Sequence, residues 1–318
     1  MTRRQFRTWC AASSLSLVLA LLNGCGVPTG NYLSIGTGST GGSFFPLGTG
    51  MATVANDHLG NVQVNAESTG GSLDNMKLLR NAEIDFALSD IGVAYNEYRS
   101  GTNSLRGVAI GFTQPMHILT ASDSGIHTVS GLRGKRVAIG PAGSGTSNMA
   151  EQMFRALGVW EDIDTLYLEH TQESQELSDG RIDAAMYVVG IPASSVDTFL
   201  NSSDGRFVTF SPDDIRRINE ANPSLVAATI PAGSYQGQGE EVPTVGVPVG
   251  LVTDVRVPNQ TVHAVTRAIT ENPDVLADYH PTGATFDVDG ALEGMQIPVH
   301  EGAAAYYAEA GYPKPGDG

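Results

Sequence analysis

A single handover, repeated along the chain, constrains the fold most: a short apolar run, then a turn of Gly, Ser and Thr, then a stretch with helical spacing. Tyr32–Gly36, Val62–Ala66 and Phe86–Leu88 read as strands, and each is followed by a helical segment: Phe44–His58, Leu73–Asn81, and Ile91 to about Arg99. The series restarts with strands at Arg136–Ile139, Thr165–Leu168 and Ala184–Val189, followed by helices at Asn148–Leu157, Glu173–Asp179 and Ser194–Leu200. Arg206–Phe210 and Pro212–Ala221 add one more pair. Such alternation implies right-handed βαβ units, hence mostly parallel sheets flanked by helices. Two extended segments, 116–122 and 244–253, stand outside the pattern; a helix over Asn259–Leu276 and a Gly- and Pro-rich end follow. The expectation is an α/β protein of two lobes, 31–118 plus 250–318 and 119–249, with hinge strands near 116–122 and 244–253 and a ligand cleft between the lobes.

Glycine marks the cleft side. Gly36–Ser43, Ser68–Ser72 and Gly140–Ser147 each link the end of a strand to the start of a helix. Free N–H groups and the positive end of the helix dipole favour an anion there, and Ser and Thr add neutral donors and caps. All three loops lie at carboxyl ends of strands, so they are expected to converge. Asp90 ends a strand; it reads either as a carboxylate facing the cleft, where it takes a cationic group of a ligand or orders a loop, or as the N-cap of the next helix. Phe44 and Phe45 would supply an apolar wall, or one of them simply core.

The N-terminus is expected to lie outside the fold. A basic start, MTRRQFRTWC, precedes an apolar stretch too short to span a bilayer, then Leu22-Asn23-Gly24-Cys25. Residues 1–24 read as a signal peptide of lipoprotein type, with a possible twin-arginine signal at Arg3-Arg4; Cys25 reads as the lipidation site and 25–30 as a lipid-anchored linker. The expected location is the periplasm or extracytoplasmic face. Processing removes three arginines and no acid, which takes the net charge from −16 to −19. It also removes Cys10, so no intrachain disulfide is available and packing must supply stability. This acidity excludes a basic nucleic-acid binder, since neutralising phosphates needs a surplus of cations.

Other chemistries lack a signature. His58, His117, His127, His170, His263, His280 and His300 form no i, i+4 pair, and no cysteine cluster accompanies them, so no metal site is expected and most read as surface or capping residues. No G-x-S-x-G or S-x-x-K occurs, so no catalytic residue and no cofactor are assigned. One enzymatic alternative remains. Gly36, Gly38 and Gly41 spell G-x-G-x-x-G before a helix, with Glu67 ending the next strand, as in an exported nicotinamide-dependent oxidoreductase.

The ordered motifs GTGSTGGSFFPLG (36–48), ESTGGSLDNMKLL (67–79), FALSDIGVAY (86–95), SGLRGKRVAIGPAGSGTSNMA (130–150), DGRIDAAMYVVGIP (179–192) and IPAGSYQGQ (230–238) resemble the TAXI family of solute-binding proteins from TRAP-type (tripartite ATP-independent periplasmic) transporters. The resemblance implies a two-lobed type II periplasmic-binding-protein fold and a monomeric, non-enzymatic receptor. That receptor would capture a small carboxylate-bearing solute (glutamate, glutamine, 2-oxoglutarate or similar) and deliver it to the transporter's membrane subunits. Mapped onto this chain, it places ligand contacts on Ser39, Thr40, Gly41, Phe45, Thr69, Gly70, Asp90, Ser144, Thr146 and Ser147. Members of that family often carry tyrosines where this chain has Phe44 and Phe45. No arginine lies in the three loops, so a carboxylate would rest on N–H and hydroxyl donors. Salt screens the field of a −19 protein within ~8 Å. Affinity for an anionic solute is therefore expected to change little with ionic strength, which titrations at low and high salt check.

Overall fold

The computed structural model describes residues 31–60 and 62–312; the signal peptide, Cys25, the linker and residues 313–318 lie outside them. It is a mixed α/β fold, a central sheet flanked by helices. Strands β1 (Asn31–Gly36), β2 (Val62–Glu67) and β3 (Phe86–Asp90) alternate with α1 (Phe44–Leu59), α2 (Ser72–Arg80) and α3 (Ile91–Arg99). A 17-residue strand, β4 (Leu105–Ala121), follows. The alternation resumes with β5 (Arg136–Ala138), α4 (Gly145–Leu157), β6 (Asp164–Leu166), α5 (His170–Ser178), β7 (Ala184–Val188), α6 (Ser194–Ser202), β8 (Gly205–Phe207) and α7 (Pro212–Ala221). Then come β9 (Val226–Ile230), β10 (Val242–Asp254), α8 (Asn259–Thr270), α9 (Pro273–Tyr279) and α10 (Glu301–Glu309).

The strand order is β2-β1-β3-β10-β4-β7-β5-β6, with β8 on β4 and β9 on β10. Two long strands tie the halves together. Residues 105–115 of β4 pair with β10, whereas 116–121 pair with β7 and β8; β10 pairs with β3 and β4 over 246–254 and with β9 over 242–246. The register between β4 and β10 shifts at Pro248/Gly250, where proline cannot donate to the ladder and a bulge absorbs the mismatch. Each half has two apolar clusters of its own: Leu47, Met51, Phe86, Val265 and Phe286 belong to one in the first half and Met76, Leu79 and Ile84 to the other, while Val137, Met153, Phe154 and Met186 belong to one in the second half and Tyr187 and Phe199 to the other.

Several sequence-based boundaries move. The strand expected at 116–122 begins at Leu105, because residues 105–115 are buried between β10 and the helices rather than forming a link. The helix expected over Asn259–Leu276 breaks into α8 and α9, since Pro273 cannot donate within a helix and instead starts the second one. The C-terminal segment, expected to be irregular, contains α10, and β9 was not anticipated. Among the described residues no helix is long and apolar enough to cross a membrane.

One buried side chain joins the loops of the first half. The Asn75 carboxamide donates to the carbonyls of Thr37 and Leu88, both at 2.8 Å, and its Oδ1 accepts from the Thr69 hydroxyl at 2.7 Å. It is fully buried, so each partner would lose its bond without access to water. Asn75→Leu is expected to destabilise the protein by roughly 2–4 kcal/mol, read as a lower denaturation midpoint at unchanged slope.

Candidate functional site

Five helices begin at one place. The loops before α1, α2 and α4, the β3–α3 junction at Asp90, and His170 at the start of α5 surround a cavity of about 40 Å³. This follows from parallel βα units, whose helices all start at the carboxyl ends of the strands. Their N–H groups and dipoles make the potential positive although no lysine or arginine lines the cavity.

The two halves touch across it. Ser43 Oγ accepts from the Gly190 N–H across it at 2.9 Å and from Gln114 Nε2 of its own half at 3.0 Å. The Gly41 carbonyl accepts from the Ser195 hydroxyl at 2.9 Å, and the Asp74 N–H donates to the Gly143 carbonyl at 3.2 Å. The closest approach joins Asp90 to Gly145 at the start of α4. A Cβ added at Gly145 would stand 1.8 Å from Asp90 Oδ2, so only glycine allows the contact.

Asp90 occupies the N-cap position of α3, but its side chain makes no capping bond. It is 2% exposed, and Oδ1 has no hydrogen-bond partner among the described residues. Burial pushes its carboxyl up from 3.8 to about 7, opposed by the hydroxyl of Ser72, which also accepts from the Asp90 N–H at 3.1 Å. A buried carboxylate without partners is costly, and a cationic or hydrogen-bond-donating group in the cavity would relieve that cost.

A second carboxylate is already satisfied. Glu173 is fully buried, accepts from the Gly140 N–H at 2.6 Å through Oε1, and holds His170 Nδ1 at 2.7 Å through Oε2. Burial raises the Glu173 carboxyl, against the pull of His170 and Gly140. Gly140 takes φ +83°, a left-handed conformation that turns its N–H onto Glu173. With Nδ1 engaged, His170 retains Nε2, which has no partner among the described residues, and the ring lines the cavity.

Of the residues expected at the site, Ser39, Gly70, Asp90, Ser144 and Thr146 line the cavity. Thr40 is exposed at the tip of the first loop. Gly41 abuts Thr171 and His170 behind the cavity wall, and Thr69 is turned to Asn75. Ser147 bonds back to Ser144, whose hydroxyl accepts from the Ser147 N–H at 3.0 Å and caps α4. The wall aromatic is Phe44 rather than Phe45, since it is the first residue of α1 that faces the cavity. Ser43, Ser72, Gln114 and His170 were missed. The first two sit in the recognised loops, but Gln114 and His170 come from segments with no glycine signal.

Among the histidines, His280 and His300 cap helical turns, His117 is core and bonds the Tyr235 hydroxyl at 2.9 Å, and only His170 reaches the cavity. No cluster of metal ligands occurs among the described residues. Two of the three glycines of the G-x-G-x-x-G spacing have a packing explanation, whereas Gly38 lines the cavity and would admit a Cβ. A Cβ at Gly36 would strike Asn75 and Ile84, and one at Gly41 would strike Thr171.

A profile of the NMT1-like family matches residues 35–311. Among solved structures, a protein of Bordetella bronchiseptica RB50 superposes with a TM-score of 0.51 at 16% identity, over 90% of each chain. The alkanesulfonate-binding protein of Xanthomonas axonopodis pv. citri, bound to MOPS, gives 0.48 at 16% identity, over 89% of this chain and 94% of that one. The periplasmic aliphatic sulphonate binding protein of Escherichia coli gives 0.45 at 16% identity, over 88% and 90%. At such identities the likeness is one of fold.

The folded pKa of Asp90 lies above its unfolded value, so the folded state holds the extra proton and loses stability as pH rises from about 4 through 7. The loss amounts to roughly 4 kcal/mol once both states are ionised. Asp90→Asn should therefore melt higher than the parent at about pH 8 and level with it near pH 4, in thermal denaturation without added solute. Gly145→Ala should weaken closure without unfolding either half, read as a larger radius of gyration by small-angle scattering.

Proposed function

Since the chain belongs to the NMT1-like family, we propose that it is an extracytoplasmic solute receptor, a binding protein rather than an enzyme, that closes two lobes over a small carboxylate-bearing solute. One observation carries this reading: a buried carboxyl with an unpartnered oxygen, Asp90, sits among five helix N-termini with no lysine or arginine in the wall. A solute bearing both a carboxylate and an ammonium fits that arrangement. Its carboxylate would accept from the loop N–H groups and the hydroxyls of Ser39, Ser144 and Thr146, and its ammonium would satisfy Asp90. Glutamate or glutamine supplies both groups, whereas 2-oxoglutarate brings no donor for Asp90.

The lobes of this reading are residues 31–118 plus 250–318 and residues 119–249, moving about the place where β4 and β10 pass from one half to the other. The described conformation is the closed one. Solute stabilises it by bridging loops from both lobes, which is a population shift driven by differential affinity. The series of motifs from 36 to 238 supports delivery to a TRAP-type transporter, with Cys25 as the lipid anchor on the extracytoplasmic face.

Calorimetry against amino acids and C4–C6 dicarboxylates tests the proposal. An amino acid is expected to bind with release of heat and to be recovered unaltered, while absence of any binding below millimolar concentration would sink the carrier reading. Thr146→Ala should weaken binding about tenfold for the loss of one hydroxyl contact, with a modest fall in melting temperature because that hydroxyl also accepts from the buried Val188 N–H at 3.3 Å.

A further inference from the structure

A short segment of the second half, residues 190–195 between β7 and α6, is held by the first half at both ends and in the middle. It leaves the cavity wall at Val189. At one end the Gly190 N–H donates to Ser43 Oγ at 2.9 Å. Gly190 is seated closely enough that a Cβ there would stand 2.9–3.1 Å from Phe112, Thr282 and Ser43. At the other end the Gly41 carbonyl accepts from the Ser194 hydroxyl and the Ser195 N–H, both at 3.3 Å, and from the Ser195 hydroxyl at 2.9 Å. Between the two, the Pro192 carbonyl accepts from His280 Nε2 at 2.8 Å.

His280 is 6% exposed and does not line the cleft cavity. It is fixed within the first half where α9 ends. Its N–H donates to the Leu276 carbonyl at 3.0 Å, and its carbonyl accepts from the Gly283 N–H at 2.7 Å. Its Nδ1 meets the Thr282 hydroxyl at 2.7 Å and accepts from the Thr282 N–H at 3.3 Å. With Nδ1 accepting, the proton of the neutral ring sits on Nε2, the nitrogen that faces Pro192. Burial pushes the imidazole below its ordinary range, against the pull of the Pro192 carbonyl, which favours that neutral form. The bond to Pro192 therefore joins a rigid point of one half to the segment that continues the cavity wall of the other.

We infer that His280 is a positioning residue for solute binding: it touches no solute, and by clasping residues 190–195 through Pro192 it sets the fraction of chains in the closed form. The inference rests on the receptor reading above, in which the halves part and close. When they part, Nε2–H and the Pro192 carbonyl both return to water, so the bond counts only toward the closed form. One neutral hydrogen bond of this kind shifts the closed-to-open ratio about fivefold, and apparent affinity falls with the fraction of chains able to close.

The test compares His280→Asn with His280→Gln in the intact folded chain. The shorter carboxamide puts its oxygen where Nδ1 caps Thr282 and cannot reach Pro192; the longer one puts an NH₂ where Nε2 stands. Small-angle scattering without solute reads closure, and calorimetry with L-glutamate reads affinity. His280→Asn is expected to enlarge the radius of gyration and to weaken L-glutamate binding by up to about fivefold. His280→Gln should keep both near the parental values. A histidine that only capped its own turn would give the reverse order. If His280→Asn changes neither readout, or His280→Gln loses as much as His280→Asn, the clasp is overturned and the receptor reading stands. Should His280→Asn fail to fold, Ser195→Ala removes a hydroxyl whose bond is to Gly41 and should open the chain in the same sense; an unchanged radius would overturn the clasp. Absence of L-glutamate binding to the parent counts against the receptor reading alone, since the scattering comparison still supports or overturns the clasp.

Discussion

The organisation of the site depends on a carboxyl group that the fold buries without compensating it. Asp90 is held at the meeting point of two halves, against the first turn of α4, with one oxygen unpartnered. A surface carboxylate would cost nothing there; a buried one makes the closed state conditional on what else enters the cavity. The surrounding features follow from that constraint. Gly145 must lack a side chain, Ser72 must lend a hydroxyl, and the helix N-termini supply positive potential that a strongly acidic protein does not otherwise have at that point. By contrast Glu173, buried just as deeply, is matched by His170 and the Gly140 N–H. In the proposed receptor, the difference between these two acids separates the part of the site that is finished from the part that a solute would complete.

In the proposed closed state, the contacts across the cavity are made by small groups. Ser43, Gly41 and Gly143 meet their partners across the cavity through hydrogen bonds to backbone or hydroxyl groups, one each for Ser43 and Gly143 and three for the Gly41 carbonyl, each worth about 1 kcal/mol in the net. Such contacts are weak enough to break and numerous enough to define one closed arrangement. The apolar clusters of the two halves lie on either side of that seam, with few large apolar side chains in the seam itself.

The three glycine-rich loops were legible because glycine, serine and threonine at a strand-to-helix turn have a direct local reason, and the helices they start are where periodicity placed them. The remainder of the wall was not. Gln114 lies inside the long strand β4, and His170 opens α5, whose approach has no glycine. Nothing local distinguishes them from a strand glutamine or a capping histidine. Phe44 and Phe45 are adjacent, and only the phase of α1 against the sheet decides which one faces the cavity. The first part of β4 was not assigned for a related reason: residues 105–115 are mostly buried and alternate poorly, so only their pairing with β10 identifies them as strand.

The sequence by itself determined the α/β alternation, the absence of a disulfide framework, the excess of acid, and the loops at which helix ends would offer their N–H groups, because each of these is set by neighbours within a few residues. Only the tertiary structure decided that five helix starts rather than three share one cavity, and that Asp90 turns away from its own helix toward Gly145. These depend on residues between roughly 20 and 130 positions apart being brought into contact by strand order, and strand order is not encoded in any local spacing.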